Sequence, residues 1–197
     1  MGMPPLNTTI QYQHNHISIV MDNLNQLLVD RRSIRRYIDK PIDGDSVKLI
    51  LEAGLLAPTS KNSRAWQFVV VEDKDMLAGL AKCKELGAGP IANATLGIVV
   101  SADMTVTDPW IEDASIAAAY MQLQAADLGI GSCWIQVRGR FTADGTPSED
   151  YVRELLGMPE ELGIVCVLTL GYPDEQRKPH DPAKTQWEKV HVGKWSE

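Results

Sequence analysis

Nothing in these 197 residues reaches the roughly 18 consecutive apolar positions of a membrane-spanning helix, and the first residues lack the basic-then-apolar order of a secretory signal. No Gly-x-Gly-x-x-Gly follows a strand-like run, and neither a Walker lysine loop nor a nucleophilic serine elbow is present, so the usual nucleotide and hydrolase folds find little support. Internal repeats and domain-splitting linkers are also missing. Cysteine is scarce: Cys83, Cys133 and Cys166 are odd in number, far apart and without paired metal-type spacing. They read as reduced, mostly buried thiols, and no metal site is expected. Positive charge is in deficit, with a net charge of −7 and an isoelectric point near 5.1. That excludes a general nucleic-acid surface and suits a partner with one concentrated negative charge. The expectation is a cytoplasmic protein that uses neither membrane nor nucleic acid.

Against this acidic body stands one basic run, Arg31-Arg32-Ser33-Ile34-Arg35-Arg36-Tyr37. Arg31, Arg32 and Arg35 could converge on a small anion, since guanidinium forks grip phosphate oxygens and a serine adds a neutral donor. The alternative is that the cations merely oppose a helix macrodipole, each worth about 0.3–1 kcal/mol, and stay in water. A content of 44% hydrophobic residues over this length suits one compact domain. Residues 1–20 are expected to form a flexible N-terminal extension and 21–197 the domain. His14 and His16, without further ligands, read as solvated.

Along the chain, Asp22 is a plausible N-cap for a helix through Leu24, Leu27 and Leu28 that aims the arginines. Asp43 caps a second helix with Val47, Ile50, Leu51, Gly54 and Leu55 on one buried face, ending before Pro58. A loop dense in hydroxyls and amides, residues 57–66, separates it from a continuous apolar strand at Phe68–Val71. Another helix from about Asp75 is broken at Gly87-Ala88-Gly89-Pro90, and a strand follows at Leu96–Ser101. From Pro109 to about Leu128 runs a long, alanine-rich helix, apolar nearly all round, which reads as a buried central helix or an interface helix. Strands at Ser132–Val137 and Ile164–Leu170 enclose a short helix at Tyr151–Leu156. The tail carries Lys178, Pro179, His180, Trp187 and Trp195.

Four stretches in this order, RRSIR, APTSKNSRAW, LGIGSCWIQ and LGYPDEQRKPH, make the chain resemble the FMN-dependent nitroreductase family over roughly residues 21–182. The resemblance implies an α+β, three-layer fold with a mixed central sheet flanked by helices, in a homodimer of domain-swapped type. It implies that Arg31, Arg32 and Ser33 hold the FMN phosphate and ribityl chain, joined by Lys178 and, in place of a second basic residue, His180. Arg35 would lie at the flavin pyrimidine edge as an electrostatic stabiliser of the reduced state. Cys133, Trp134, Ile135 and Gln136 would line the ring. Pro58, Thr59, Ser60, Asn62 and Ser63 would reach the flavin of the other subunit. The implied activity is ping-pong transfer of a hydride from NADH or NADPH through FMN to a nitroaromatic, quinone or similar small electrophile. Family alternatives are dehalogenation, dehydrogenation and flavin degradation, and outside enzymology a flavin sensor or storage protein. Two departures, Arg64-Ala65 where the family has Gln-Pro and His180 for a basic residue, bear on substrate class more than on flavin binding.

Overall fold

The computed structural model describes residues 17–195, with side chains from residue 24 onward; His14 and His16 lie outside the described residues. Four strands, β1 (Trp66–Val71), β2 (Leu96–Asp103), β3 (Gly131–Gln136) and β4 (Leu162–Gly171), form one sheet in the order β1-β2-β4-β3. Among the described residues five α-helices accompany them: α1 (Ile17–Asp30), α2 (Gly44–Leu55), α3 (Lys74–Leu80), α4 (Trp110–Asp127) and α5 (Ser148–Leu156). Apolar residues of α2 and α4 pack on one sheet face with Ile98, Val100 and Leu168. Those of α3 and α5 pack on the other with Val99, Val167 and Ile135. The fold is α+β in three layers, as expected.

The sheet itself corrects an expectation. All its ladders among the described residues are antiparallel rather than mixed. Among the described residues, the only stretch running parallel beside it makes a single bridge, Ser33 with Ser132, too short to count as a strand. With helices over both faces, β2 and β4 are buried along almost their whole length. At the sheet edge β1 is only half covered: Trp66 and Val71 are buried and Val70 is exposed, so the apolar run Phe68–Val71 is an edge strand.

Capping side chains explain the starts of α2 and α3. Asp43 accepts the Ser46 N–H at 2.8 Å and Asp73 accepts the Met76 N–H at 2.8 Å. Asp22 does not cap α1, which begins five residues earlier at Ile17. Ile17 and Val20 precede Leu24, Leu27 and Leu28 at helical spacing, so the periodic pattern overrides the isolated cap signal. On α2, Ile50 and Gly54 are buried as expected, whereas Leu55 is half exposed. Gly54 lets α2 approach α4 closely, since a Cβ there would stand 3.0 Å from the Met121 side chain. Helix α4 buries Ala114, Ala117, Ala118, Met121 and Ala125 but leaves Ile116 and Tyr120 outward. No helix of the described residues is long and apolar enough to cross a membrane. All three cysteines are free and buried.

Candidate active site

The arginine segment lies on bare backbone. Gly131 and Gly171 are ladder partners at one end of β3 and β4. A Cβ at Gly131 would fall 2.8 Å from Ile34 Cβ, and one at Gly171 would fall 2.9 Å from Tyr37 Cβ. Ile34 and Tyr37 are therefore the two buried residues of the run, packed where no other residue type leaves room. The Ile34 N–H donates to the Ser132 carbonyl at 2.9 Å, and the Ile38 N–H to the Tyr172 carbonyl at 2.8 Å. The Tyr37 hydroxyl donates to the Ile34 carbonyl and shares a 2.7 Å hydrogen bond with Thr169 Oγ1. Burial pushes that phenol well above its usual range, so it stays protonated. Seated in this way, the segment leaves Arg31, Arg32 and Ser33 half-buried and Arg35 and Arg36 exposed. The cations are thus presented by an anchored strand-like segment, not by a fraying helix end.

The tail returns to this segment. His180 donates its backbone N–H to the Val29 carbonyl at 2.8 Å, and the Arg32 guanidinium donates to the Lys178 carbonyl. Glu175, with a side chain only 7% exposed, accepts the Arg35 N–H at 2.6 Å and pairs with Arg177 at 2.6 Å. The Arg35 N–H and then the nearby Arg177 cation hold its carboxyl below the usual range against some desolvation. Arg32, Lys178 and His180 consequently line one cleft of about 650 Å³, together with Lys184. A smaller cavity of about 200 Å³ adjoins Arg31, Arg32, Gly131, Ser132 and Arg177. Lys184 and Arg177 were not anticipated; the signal available was their sign, next to Lys178 in a tail returning to arginines.

Strand β3 forms the sheet edge beside this cleft. The outward direction of the Ser132 carbonyl, bonded to Ile34, fixes by alternation the same direction for the backbone of Trp134 and Gln136. Cys133 and Ile135 turn theirs toward β4. Of the four residues expected along the ring, two thus offer edge backbone groups. The Trp134 indole N–H donates to Gln136 Oε1 at 2.9 Å, and Gln136 Nε2 donates to the Arg138 carbonyl at 2.9 Å. The Cys133 thiol is buried, and desolvation raises its pKa despite the opposing Arg35 charge. It is no thiolate nucleophile at neutral pH.

The loop Pro58–Ser63 lies elsewhere. Asp113, in the first turn of α4, accepts the Ser60 N–H at 2.9 Å and the Ser63 hydroxyl at 3.1 Å. Lys61, Asn62 and Arg64 adopt φ of 51°, 55° and 50°, a left-handed region that non-glycine residues rarely enter. The Arg64 N–H reaches Thr59 Oγ1 at 3.2 Å, and Arg64 Nε reaches Asn62 Oδ1 at 2.9 Å. While this loop is tied to the start of α4, the arginine cavity is lined by Ala126 at its end. Thirteen residues of helix separate the two, on the order of 20 Å at 1.5 Å per residue. Within one chain the expected site residues therefore form two groups and not one. Asp113 was missed because its neighbours Ala114, Ile116, Ala117 and Ala118 make the helix read as plain packing.

In chemical terms the first group joins forked cations and a hydroxyl, suited to a phosphate monoester, to an edge of unpaired backbone donors, suited to a flat heterocycle. Comparison with known proteins points the same way. A protein of Archaeoglobus fulgidus assigned as an NADH dehydrogenase/NAD(P)H nitroreductase is 34% identical over 180 residues, spanning 89% of this chain and 100% of the relative. The structure of an FMN-dependent nitroreductase from Clostridium difficile R20291 is 45% identical, with a TM-score of 0.84 over 86% of this chain and 98% of that one. A structure from Parabacteroides distasonis, assigned like the Archaeoglobus protein, is 26% identical with a TM-score of 0.80, over 88% and 99% of the two chains. The sequence profile of the nitroreductase family matches residues 28–103 and 91–172. On this agreement of profile, relatives, fold and donor set, the chain belongs to the nitroreductase family.

Proposed function

We propose that this protein is an FMN-dependent NAD(P)H oxidoreductase acting on nitroaromatics, quinones or similar flat electrophiles. The observation that carries this reading is the convergence of Arg32 with Lys178 and His180 on one cleft, from segments some 146 positions apart in the chain. Bound there, FMN supplies the redox chemistry, accepting electrons from NAD(P)H and delivering them to the acceptor. Arg31, Arg32, Ser33 and Lys178 hold the phosphate and ribityl chain, and His180 lines the same cleft. Arg35 stands where negative charge accumulates on reduction and offsets it. The outward Gln136 N–H donates to the ring edge. One open cleft serves reductant and acceptor in turn, which is the ping-pong order, and a flat acceptor needs stacking area more than specific hydrogen bonds.

The separation of the loop from the arginines supports a homodimer in which Pro58–Ser63 of one copy reaches the flavin held by the other. An apolar groove of about 510 Å³ on α1, α2 and α4, lined by Leu24, Leu27, Ala53, Tyr120 and Leu123, offers the face for it. Leu28 is 50% and Tyr120 42% exposed beside that groove, a concentration of apolar surface that a second copy would cover. Free, buried cysteines favour a cytoplasmic setting.

The test is an absorbance spectrum of the purified protein under nitrogen, followed by NADH and then NADPH. Oxidised-flavin bands that bleach with either nucleotide are expected. Bands that persist with both would refute a reductase, and a colourless protein that takes up no added FMN would refute flavin binding altogether.

A further inference from the structure

We propose that Asp113 is a positioning residue for flavin binding, acting by locking the Pro58–Ser63 loop into one shape; the proposal rests on the reading that this loop touches the flavin. Asp113 is 3% exposed, and no cation lies within ion-pair distance of it among the described residues. A buried carboxylate without a counter-ion is expensive and persists only where hydrogen bonds and local dipoles replace water. Here the Ser60 N–H, the Ser63 hydroxyl and the opening turn of α4 do so. Packing of α4 gives no reason for an acid at this position, since Ala114, Ala117 and Ala118 already fill the contact with the core.

The loop explains the acid. Lys61, Asn62 and Arg64 are all left-handed, a backbone conformation strained for residues that carry a Cβ and less so for asparagine. Such backbone persists only when its surroundings over-determine it. Internally the loop contributes two backbone bonds, Asn62 N–H to the Thr59 carbonyl at 3.2 Å and Ser63 N–H to the Ser60 carbonyl at 2.9 Å, and the contacts of Arg64 with Thr59 and Asn62. Asp113 is the restraint that comes from a rigid element, and it grips both flanks of the Lys61-Asn62 turn at once. A loop fixed before the ligand arrives loses little entropy on binding, and this is what Asp113 provides. The role needs two hydrogen-bond acceptors in place more than it needs the charge. An asparagine can meet it, with Oδ1 accepting the Ser60 N–H and the Ser63 hydroxyl turning to accept from Nδ2.

The experiment compares Asp113→Asn, Asp113→Ala and Ser63→Ala with the unaltered protein by two readouts. One is trypsin cleavage after Lys61 and Arg64, both exposed; the other is FMN release on dilution, followed by recovery of free-flavin fluorescence. Asp113→Ala should raise cleavage and weaken FMN retention by about tenfold or more, as expected for two lost bonds to a charged acceptor. Ser63→Ala should fall between, and Asp113→Asn should stay within about twofold of the unaltered protein on both readouts. Should Asp113→Ala fail to fold, Ser63→Ala against Asp113→Asn carries the same contrast. Unchanged cleavage in both alanine variants, or Asp113→Asn as impaired as Asp113→Ala, would overturn the proposal. Raised cleavage with unchanged FMN retention would overturn the loop's contact with flavin while leaving Asp113's hold on the loop in place.

Discussion

Replacing Gly131 with alanine tests whether the arginine segment owes its place to bare backbone. The new Cβ would meet Ile34 Cβ at 2.8 Å, Cγ2 at 2.9 Å and Cγ1 at 3.0 Å. Carbon atoms rest at about 3.5–4.0 Å, so Ile34 must rise by roughly 1 Å. That movement stretches the 2.9 Å bond from the Ile34 N–H to the Ser132 carbonyl beyond hydrogen-bonding range. Overpacking costs about 1–3 kcal/mol and the lost bond about 0.5–1.5 kcal/mol, so the native seat is disfavoured by about 2–4 kcal/mol. The chain can answer in two ways. Either the seat holds and the melting temperature falls, by about 2–4 °C per kcal/mol for a chain of this size, or the segment lifts and Ser33, Arg32 and Arg35 leave their positions. Differential scanning calorimetry and FMN titration together cover both responses. Gly44→Ala is the control, because nothing lies within 4 Å of a Cβ there and alanine suits a helix. A Gly131→Ala protein with unchanged melting temperature and unchanged FMN affinity would refute the argument, whatever the control does.

Three further outcomes are expected. Arg35→Ala should lower the midpoint potential of bound FMN by roughly 20–30 mV, the equivalent of about 1 kcal/mol from an exposed cation in a two-electron couple; an unchanged potential in spectroelectrochemical titration would remove Arg35 from that role. Leu28→Glu should shift the light-scattering mass from two chains toward one and reduce FMN content in parallel, and a flavin-loaded monomer would defeat the shared site. Glu175, whose pKa is lowered in the folded chain, stabilises the fold at pH above its unfolded value near 4.5, a contribution lost as pH falls through the folded value; Glu175→Gln should flatten the stability–pH curve in that acid window, as read by urea melts from pH 3 to 6.

How far the sequence alone could lead depended on the range of each signal. Asp43 was readable because a cap and the helix it starts are neighbours in the chain, whereas the helix expected from about Asp75 starts at Lys74 on the Asp73 cap. The arginine run and the Lys178–His180 tail were each visible, but their meeting depends on Gly131 and Gly171 making room for Ile34 and Tyr37, a three-dimensional fact with no local signature. Asp22 misled because a cap preference is weaker than the apolar period beginning at Ile17. The Phe68–Val71 run was readable as an apolar strand but not as an edge strand, because composition does not say which strand lies at the edge of the sheet. Asp113 stayed hidden among alanines, since its partners Ser60 and Ser63 are about fifty positions away.

The length of α4 has a consequence for how such a protein behaves in solution. On the proposed shared site, with loop and arginines at opposite ends of the helix, no single chain would own a whole cofactor site, and loading and association would be linked equilibria. Each bound flavin then raises the affinity between copies by the factor that a second copy raises the affinity for flavin. Protein concentration would then be a control variable: dilution is expected to bleed colour from the preparation and free FMN to restore assembly, with no dedicated regulator needed to keep a scarce catalyst switched off.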